Sequence, residues 1–248
     1  MPSAADHALA VDAATQAGQL LLEVRAHLEG RSEWPAYVGD EGDRQAHDLL
    51  VTLLRQARPD DGVLSEEGRD DLARLDRERV WIVDPLDGTR EFSEPGRTDW
   101  AVHVALAIDG VAVAGAVALP ARGVTLGTVP PPPPPAPWEG PPRLVVSRSR
   151  PPQEAHRIRE ALGGELLPLG SAGAKAMAVV LGEADVYAHS GGQYEWDNCA
   201  PAAVAEAAGL HVSRLDGSPL VYNRRDPWSP DLLICRADLA EAVLAALR

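Results

Sequence analysis

The chain is poor in cysteine, in basic residues and in long apolar runs. Only two of its 248 residues are cysteine, Cys199 and Cys235. Two cannot build a disulfide framework, and they match no metal-site spacing, so a reduced cytoplasm is the expected compartment. Lys and Arg number 23 against 37 Asp and Glu, a net charge of −14. That balance argues against nucleic-acid polymers and anionic membranes as partners. No apolar run approaches the roughly 18 residues of a membrane span. No basic stretch leads into an apolar core, so a secretory signal is not expected. No internal repeat is evident. What remains is an ordinary globular composition, 45% hydrophobic, long enough for a substantial core in one or two domains.

Three acidic clusters stand at the edges of apolar segments. They are Ser65-Glu66-Glu67-Gly68, Asp84-Pro85-Leu86-Asp87-Gly88-Thr89, and Glu195-Trp196-Asp197-Asn198. Carboxylates gathered without matching bases repel unless cations hold them, and hard ions such as Mg2+ suit oxygen donors. Such ions would also present positive charge to a phosphate, which reconciles an acidic chain with an anionic substrate. Pro85 fixes its own φ and extends Asp84, so the central segment reads as a rigid turn at a strand end. Asp84 and Asp87 can then approach one cation pair, with the Leu86 carbonyl as a further ligand. Gly88 lets the backbone come close to an anion. Thr89 adds a hydroxyl, and the N–H groups of Gly88 and Thr89, opening a short helix, favour a phosphate.

Simpler readings compete residue by residue. Asp-x-x-Asp-Gly alone also describes an ordinary Asp-capped turn. Asp197 could be only a helix N-cap, although a capping carboxylate keeps an oxygen free for metal. Glu66 could be a solvated member of a Glu-Glu pair, and Glu67 reads as a surface or supporting residue. Two acidic motifs are excluded. A phosphoaspartate phosphatase of the haloacid dehalogenase type needs Asp-x-Asp-Gly-Thr, and Pro85 stands where its nucleophile would. An EF-hand loop needs alternating ligands and a glutamate at position twelve.

Apolar spacing predicts a helix over about 6–29 and a second from Ala46 to Ala57. The segment Arg58-Pro59-Asp60-Asp61-Gly62 ends the second. Val63-Leu64 and Val80–Val83 read as strands delivering Glu66 and Asp84. Ala101–Ile108 and Val111–Leu119, joined by Asp109-Gly110, read as a hairpin. Six prolines, Pro130 to Pro135, then Ala136-Pro137, form a stiff tract without backbone donors. It reads as an exposed linker, with a docking motif for a proline-recognising partner as the alternative. Beyond it the expected elements alternate: strand 143–147, helix 153–162, strand 166–169, helix 172–181, strand 184–188, helix 199–208, strand 232–235 and helix 239–247. Residues 1–137 thus look α+β, with most of the metal ligands, and residues 138–248 look α/β, with the last ligand.

The segments Ser65-Glu66-Glu67, Trp81-Ile82-Val83-Asp84-Pro85-Leu86-Asp87-Gly88-Thr89 and Trp196-Asp197-x-x-Ala200-Pro201 resemble the inositol monophosphatase superfamily in order and spacing. Within it, Gly170-Ser171-Ala172-Gly173-Ala174-Lys175 and Val145-Val146-Ser147-Arg148-Ser149 are similar to segments of the CysQ-type 3'(2'),5'-bisphosphate nucleotidases. The resemblance implies a layered α-β-α-β-α sugar-phosphatase fold, two subdomains with the metal site between them. It implies a lithium-sensitive phosphomonoesterase using two or three Mg2+. Glu66, Asp84 and the Leu86 carbonyl would hold one ion, and Asp84, Asp87 and Asp197 the other. Asp43 would polarise Thr89, although Gly39-Asp40-Glu41-Gly42 before it departs from the family's Val-Thr-x-x-Asp, and Asp43 could instead cap the second helix. Ser147, Arg148, Ser149, Ser171 and Lys175 would contact the nucleotide; Arg150 stands where the pattern often has histidine. The implied substrate is adenosine 3',5'-bisphosphate, a by-product of sulfate assimilation, and a homodimer is implied. Inositol phosphates or fructose 1,6-bisphosphate are alternative substrates on the same fold. Tyr194 and Trp196 read as packing residues, and His189 as structural.

Overall fold

Two five-stranded sheets organise the computed structural model, which describes residues 1–28 and 34–248. The first sheet has the order β1-β2-β3-β4-β5. Its strands are Gly62–Ser65, Arg79–Asp87, Ala101–Ile108, Val111–Leu119 and Val124–Gly127. β1 runs parallel to β2, and the other neighbours are antiparallel. The β3–β4 hairpin has the expected bounds because Asp109 and Gly110 both adopt positive φ, 50° and 79°. Paired positive φ angles match the turn's twist to that of the strands. The short edge strand β5 was not expected from the sequence.

Strand β2 corrects the reading of the acidic hexapeptide as a turn. The strand continues through Pro85 to Asp87, and its register against β3 shifts between Asp84 and Asp87. Asp84 is paired with His103 and Asp87 with Ala101, so β2 carries one extra residue there. A bulge of this kind re-aims side chains without ending the strand. Proline is tolerated where the ladder is interrupted.

Helices α1 (Ala4–Leu28) and α2 (Trp34–Ala57) cover one face of this sheet. Small residues Ala10, Ala13, Ala14 and Ala17 let α1 approach closely, and they share a core with Trp81, Val83, Val104 and Leu106. Residue 29, the expected end of the first helix, lies outside the described residues. α2 begins well before the apolar repeat at Ala46, so Asp43 sits inside the helix rather than at its cap. The glycines of the departing segment explain this. A Cβ on Gly39 would come 2.6 Å from Thr89 Cγ2, and one on Gly42 would come 2.9 Å from Phe92. Glycine costs helix propensity, yet here it lets α2 press against α3 (Thr89–Ser93) and bring Asp43 to the site.

The second sheet has the order β7-β6-β8-β10-β9. Its strands, in chain order, are β6 (Arg143–Ser147), β7 (Glu165–Leu169), β8 (Val186–Tyr194), β9 (His211–Ser213) and β10 (Trp228–Cys235). Between the sheets lie α5 (Ala172–Val180) and α6 (Glu195–Ala207), whose alanines, Met177 and Val204 join both sheets in one apolar cluster. Helices α4 (Gln153–Leu162) and α7 (Ala240–Leu247) pack on the outer face, with Ile158 and Val243 against Leu144 and Leu233. The layers therefore run α-β-α-β-α, as the resemblance implied.

The proline tract connects the sheets as a mostly exposed strap, as expected of a linker, but it is pinned at a few points. Pro132 is buried. Pro135 lies against Gly182, and the Ala136 carbonyl accepts a 2.7 Å hydrogen bond from Arg236 Nη1. No described helix is long and apolar enough to cross a membrane.

Candidate active site

The three aspartates singled out from the sequence converge. Asp84 and Asp87 come from the bulged end of β2 and Asp197 from the first turn of α6. Each offers a carboxylate oxygen within 4.8 Å of the others. Asp84 is fully buried, and its Oδ1 accepts the Leu86 N–H at 3.1 Å. Burial, then repulsion from Glu66, Asp87 and Asp197, pushes its carboxyl well above the usual range. Glu66 follows β1, and its carboxyl neighbours that of Asp84. The residue is exposed overall, but its carboxyl is crowded, and desolvation with repulsion from Asp197 and Asp87 raises it to about 7. Burial and Asp87 raise Asp197 to about 6, against the pull of the Tyr194 N–H, which donates to its Oδ2 at 2.6 Å.

Asp87 is the exception. Burial acts to raise it, but His103, Ser171 and Lys175 outweigh burial and hold it below the usual carboxylate range. The start of α5 supplies the donors. The Ser171 hydroxyl reaches Asp87 Oδ2 at 2.5 Å, the Gly173 N–H reaches the same oxygen at 2.6 Å, and the Ala172 N–H reaches Oδ1 at 3.0 Å. Ser171 takes a positive φ of 45° to make this turn, a conformation unusual for a residue with a side chain. The ammonium of Lys175 holds the turn from beneath, donating to the carbonyls of Gly170, at 3.1 Å, and Ser171. Lys175 is 5% exposed and lies over the Tyr187 ring. The structure therefore places Lys175 under the loop.

His103 was not singled out from the sequence. It is a fully buried β3 residue whose Nε2 lies 3.2 Å from Asp87 Oδ2 and whose Nδ1 lies 3.0 Å from the Trp196 carbonyl. Burial alone would lower its pKa, but Asp87 prevails and raises it. A lone histidine inside an otherwise apolar strand, in register with Asp84, is the signal that could have found it.

Asp43 is buried, and among the described residues its Oδ1 has no hydrogen-bond partner. Desolvation first, then Glu67 and Glu66, push its carboxyl up to about 8, with Thr89 opposing. The Thr89 hydroxyl donates to the Leu86 carbonyl at 3.2 Å. Gly88, at φ 89°, caps α3. Ser147 ends β6, and Arg148 and Ser149 follow it. Arg148 donates to Glu94 Oε1 and Oε2 at 2.9 Å and to Glu91 Oε1 at 2.8 Å. Ser147 Oγ accepts the Arg150 N–H at 3.3 Å, and Ser149 is exposed. Asp99, also missed, accepts the Gly170 N–H at 2.6 Å and so ties this region to the Ser171 loop.

The donor set fits a divalent metal. Its ligating atoms are carboxylate oxygens, they converge within ion-binding reach, and their mutual repulsion calls for positive charge. Five alternating layers with an acidic site fed by both sheets define a phosphatase of the layered type. The chain belongs to the inositol monophosphatase family, whose pattern matches residues 5–129 and 143–248. The break between the matched segments is the proline strap. Two curated relatives are similar over most of the chain. The 3'-phosphoadenosine 5'-phosphate phosphatase of Mycobacterium leprae is 54% identical, covering 98% of this chain and 93% of that protein. The 3'(2'),5'-bisphosphate nucleotidase CysQ of Escherichia coli is 32% identical, covering 75% and 80%. The crystal structure of CysQ from Bacteroides thetaiotaomicron superposes with a TM-score of 0.78 at 28% identity, covering 94% of this chain and 97% of that one.

Proposed function

We propose that this chain is a Mg2+-dependent phosphomonoesterase that converts adenosine 3',5'-bisphosphate to AMP and phosphate in the cytoplasm, clearing a by-product of sulfate assimilation. The observation that carries the substrate is the 54% identity, over 98% of the chain, to a 3'-phosphoadenosine 5'-phosphate phosphatase. The alignment of Asp84, Asp87 and Asp197 around one point supports the metal.

Asp84, Asp87, Asp197 and Glu66 would hold the cations, with the Leu86 carbonyl as the further ligand. Bound there, divalent ions would neutralise the carboxylates, offset phosphate charge and acidify an attacking water. The chain's own groups do the rest. Asp43 would accept a proton at Oδ1, the oxygen without a partner among the described residues. Thr89, turned from the Leu86 carbonyl to Asp43, donates to it and leaves its own oxygen to orient the water. The N–H groups of Gly88 and Thr89 hold non-bridging phosphate oxygens. Water attacks phosphorus in line and gives up its proton toward Asp43 through Thr89, the P–O3' bond breaks, and the ribose oxygen takes a proton from solvent as it leaves. Such transfer depends on positioning and charge neutralisation more than on covalent help.

The test is Mg2+-dependent phosphate release from adenosine 3',5'-bisphosphate beside inositol 1-phosphate and fructose 1,6-bisphosphate. A strong preference for the nucleotide is expected. Equal or better turnover of the sugar phosphates would keep the metal chemistry and discard the nucleotide.

A further inference from the structure

Only 4% of the chain is aromatic, yet aromatic rings collect beside the acidic cluster. Tyr194 ends β8 and immediately precedes α6, and its backbone N–H is bonded to Asp197 Oδ2 at 2.6 Å. The Tyr194 ring stacks on Trp196, with centroids 4.7 Å apart and planes 10° from parallel. Trp196 in turn packs on the apolar cluster between the sheets, which anchors the lower ring. Tyr194 nevertheless remains 46% exposed. Its direct partner on β10 is Trp228, 45% exposed. Directly opposed residues of an antiparallel pair project to the same face.

Core packing does not account for this arrangement. Nearly half of Tyr194 stays in solvent, and its free ring face contributes nothing to folding. The stacked ring is instead pre-ordered, which lowers the entropy cost of meeting a planar ligand. Ring faces accept any heteroaromatic base without hydrogen-bond readout. Its attachment to Asp197 sets the surface next to the carboxylates assigned to the reacting phosphate.

We propose that Tyr194, backed by Trp196 and flanked by Trp228, is the platform on which the base of a nucleotide substrate stacks while its phosphorylated ribose enters the Asp84–Asp87–Asp197 cluster. The inference rests on the phosphatase reading above and adds to it the source of nucleotide selectivity. A stacking surface reads planarity and ring area, so guanosine 3',5'-bisphosphate is turned over comparably and pyrimidine counterparts less well.

The test compares kcat/KM for adenosine 3',5'-bisphosphate with that for its abasic analogue, 1-deoxyribose 3,5-bisphosphate, in the Mg2+-loaded wild type, Tyr194→Ala, Tyr194→Phe and Trp228→Ala. Tyr194→Ala should cut the nucleotide-to-abasic ratio by about tenfold, through KM rather than kcat, and Tyr194→Phe should retain it. AMP should quench tryptophan fluorescence in the wild type and bind more weakly to both alanine variants. A nucleotide-preferring wild type whose ratio and AMP affinity survive Tyr194→Ala overturns the platform and leaves the phosphatase reading standing. A wild type that favours the abasic ester overturns both.

Discussion

The imidazole of His103 and the carboxylate of Asp87 face each other inside the protein, Nε2 to Oδ2, at 3.2 Å. The contact becomes an ion pair when the imidazole is protonated, a state that Asp87 favours. With the α5 amides it keeps Asp87 ionised while burial and mutual repulsion raise Asp84, Glu66 and Asp197. One member of the cluster thus carries a settled charge, while the others depend on what binds between them.

Gly173 is where this pairing constrains the sequence. A Cβ at position 173 would overlap Nε2 of His103, with Ala101 also within 3.0 Å. Gly173→Ala should therefore destabilise by about 1–3 kcal/mol, the usual cost of overpacking a core. His103→Ser removes the ring, and the double variant should show a smaller cost for the same alanine, by about 1 kcal/mol or more. A urea-melt double-mutant cycle on metal-free protein checks this. Strictly additive costs would place the imidazole elsewhere than against α5.

The raised carboxyls make metal-free stability pH-dependent. The fold raises Asp197, Glu66 and Asp43 to about 6, 7 and 8, from ordinary values of 3.8, 4.5 and 3.8. Between those limits the native state holds more protons than the unfolded state, so stability falls as pH rises. The thermal midpoint without metal should decline from about pH 4 to pH 8 and then level off with respect to these groups. Millimolar Mg2+ should restore several degrees at pH 8 and little at pH 5, because protonated carboxyls bind cations poorly. A midpoint that rises across this window, or a Mg2+ shift equal at both ends, would contradict the assignment.

What was legible in the sequence divides along physical lines. The hairpin bounds could be read because Asp109-Gly110 announces its own turn, and α4 because its apolar spacing is complete. The start of α2 and the far half of β8, beyond residue 188, could not. α2 opens with residues chosen for contact with Thr89 and Phe92, so its glycines and charges hide the helical period. β5 and β9, with four and three residues, are too short to carry a period. In the site, the carboxylates stood out because clustered acids need a reason. His103 did not, since in sequence it is one polar residue in an apolar strand, and only the β2 bulge sets it between two aspartates. The burial of Lys175 beneath Gly170 and Ser171 was equally invisible, because it depends on the positive φ at Ser171.

Asp84 is the residue on which metal and fold pull in opposite directions. It is completely buried and repelled by three neighbouring acids, so ionisation costs the metal-free fold. Asp84→Asn should raise the metal-free thermal midpoint at pH 8, abolish most of the Mg2+-induced shift and cut turnover by more than the roughly 100-fold typical of residues that only support a ligand. Circular dichroism with a Mg2+ titration of the midpoint separates these effects. A variant that stays active and still gains stability from Mg2+ would remove Asp84 from the metal site.

The proline strap permits a sharper separation between stability and catalysis. It lies outside the matched family segments, but it is held at both levels: Pro132 is buried, and Arg236 binds the Ala136 carbonyl. Prolines that fit their conformation stabilise by restricting the unfolded chain, by about 0.4–1 kcal/mol each. Replacing residues 130–137 with Gly and Ser at constant length should therefore lower the thermal midpoint by several degrees. Turnover of adenosine 3',5'-bisphosphate at 25 °C should stay within about twofold, because the tract supplies no group to the cluster. Arg236→Ala should reproduce part of the stability loss, since it frees one end of the strap. An unchanged midpoint in both variants would mean that the strap's packing contributes nothing, and a proline-recognising partner would then become the better explanation for the tract.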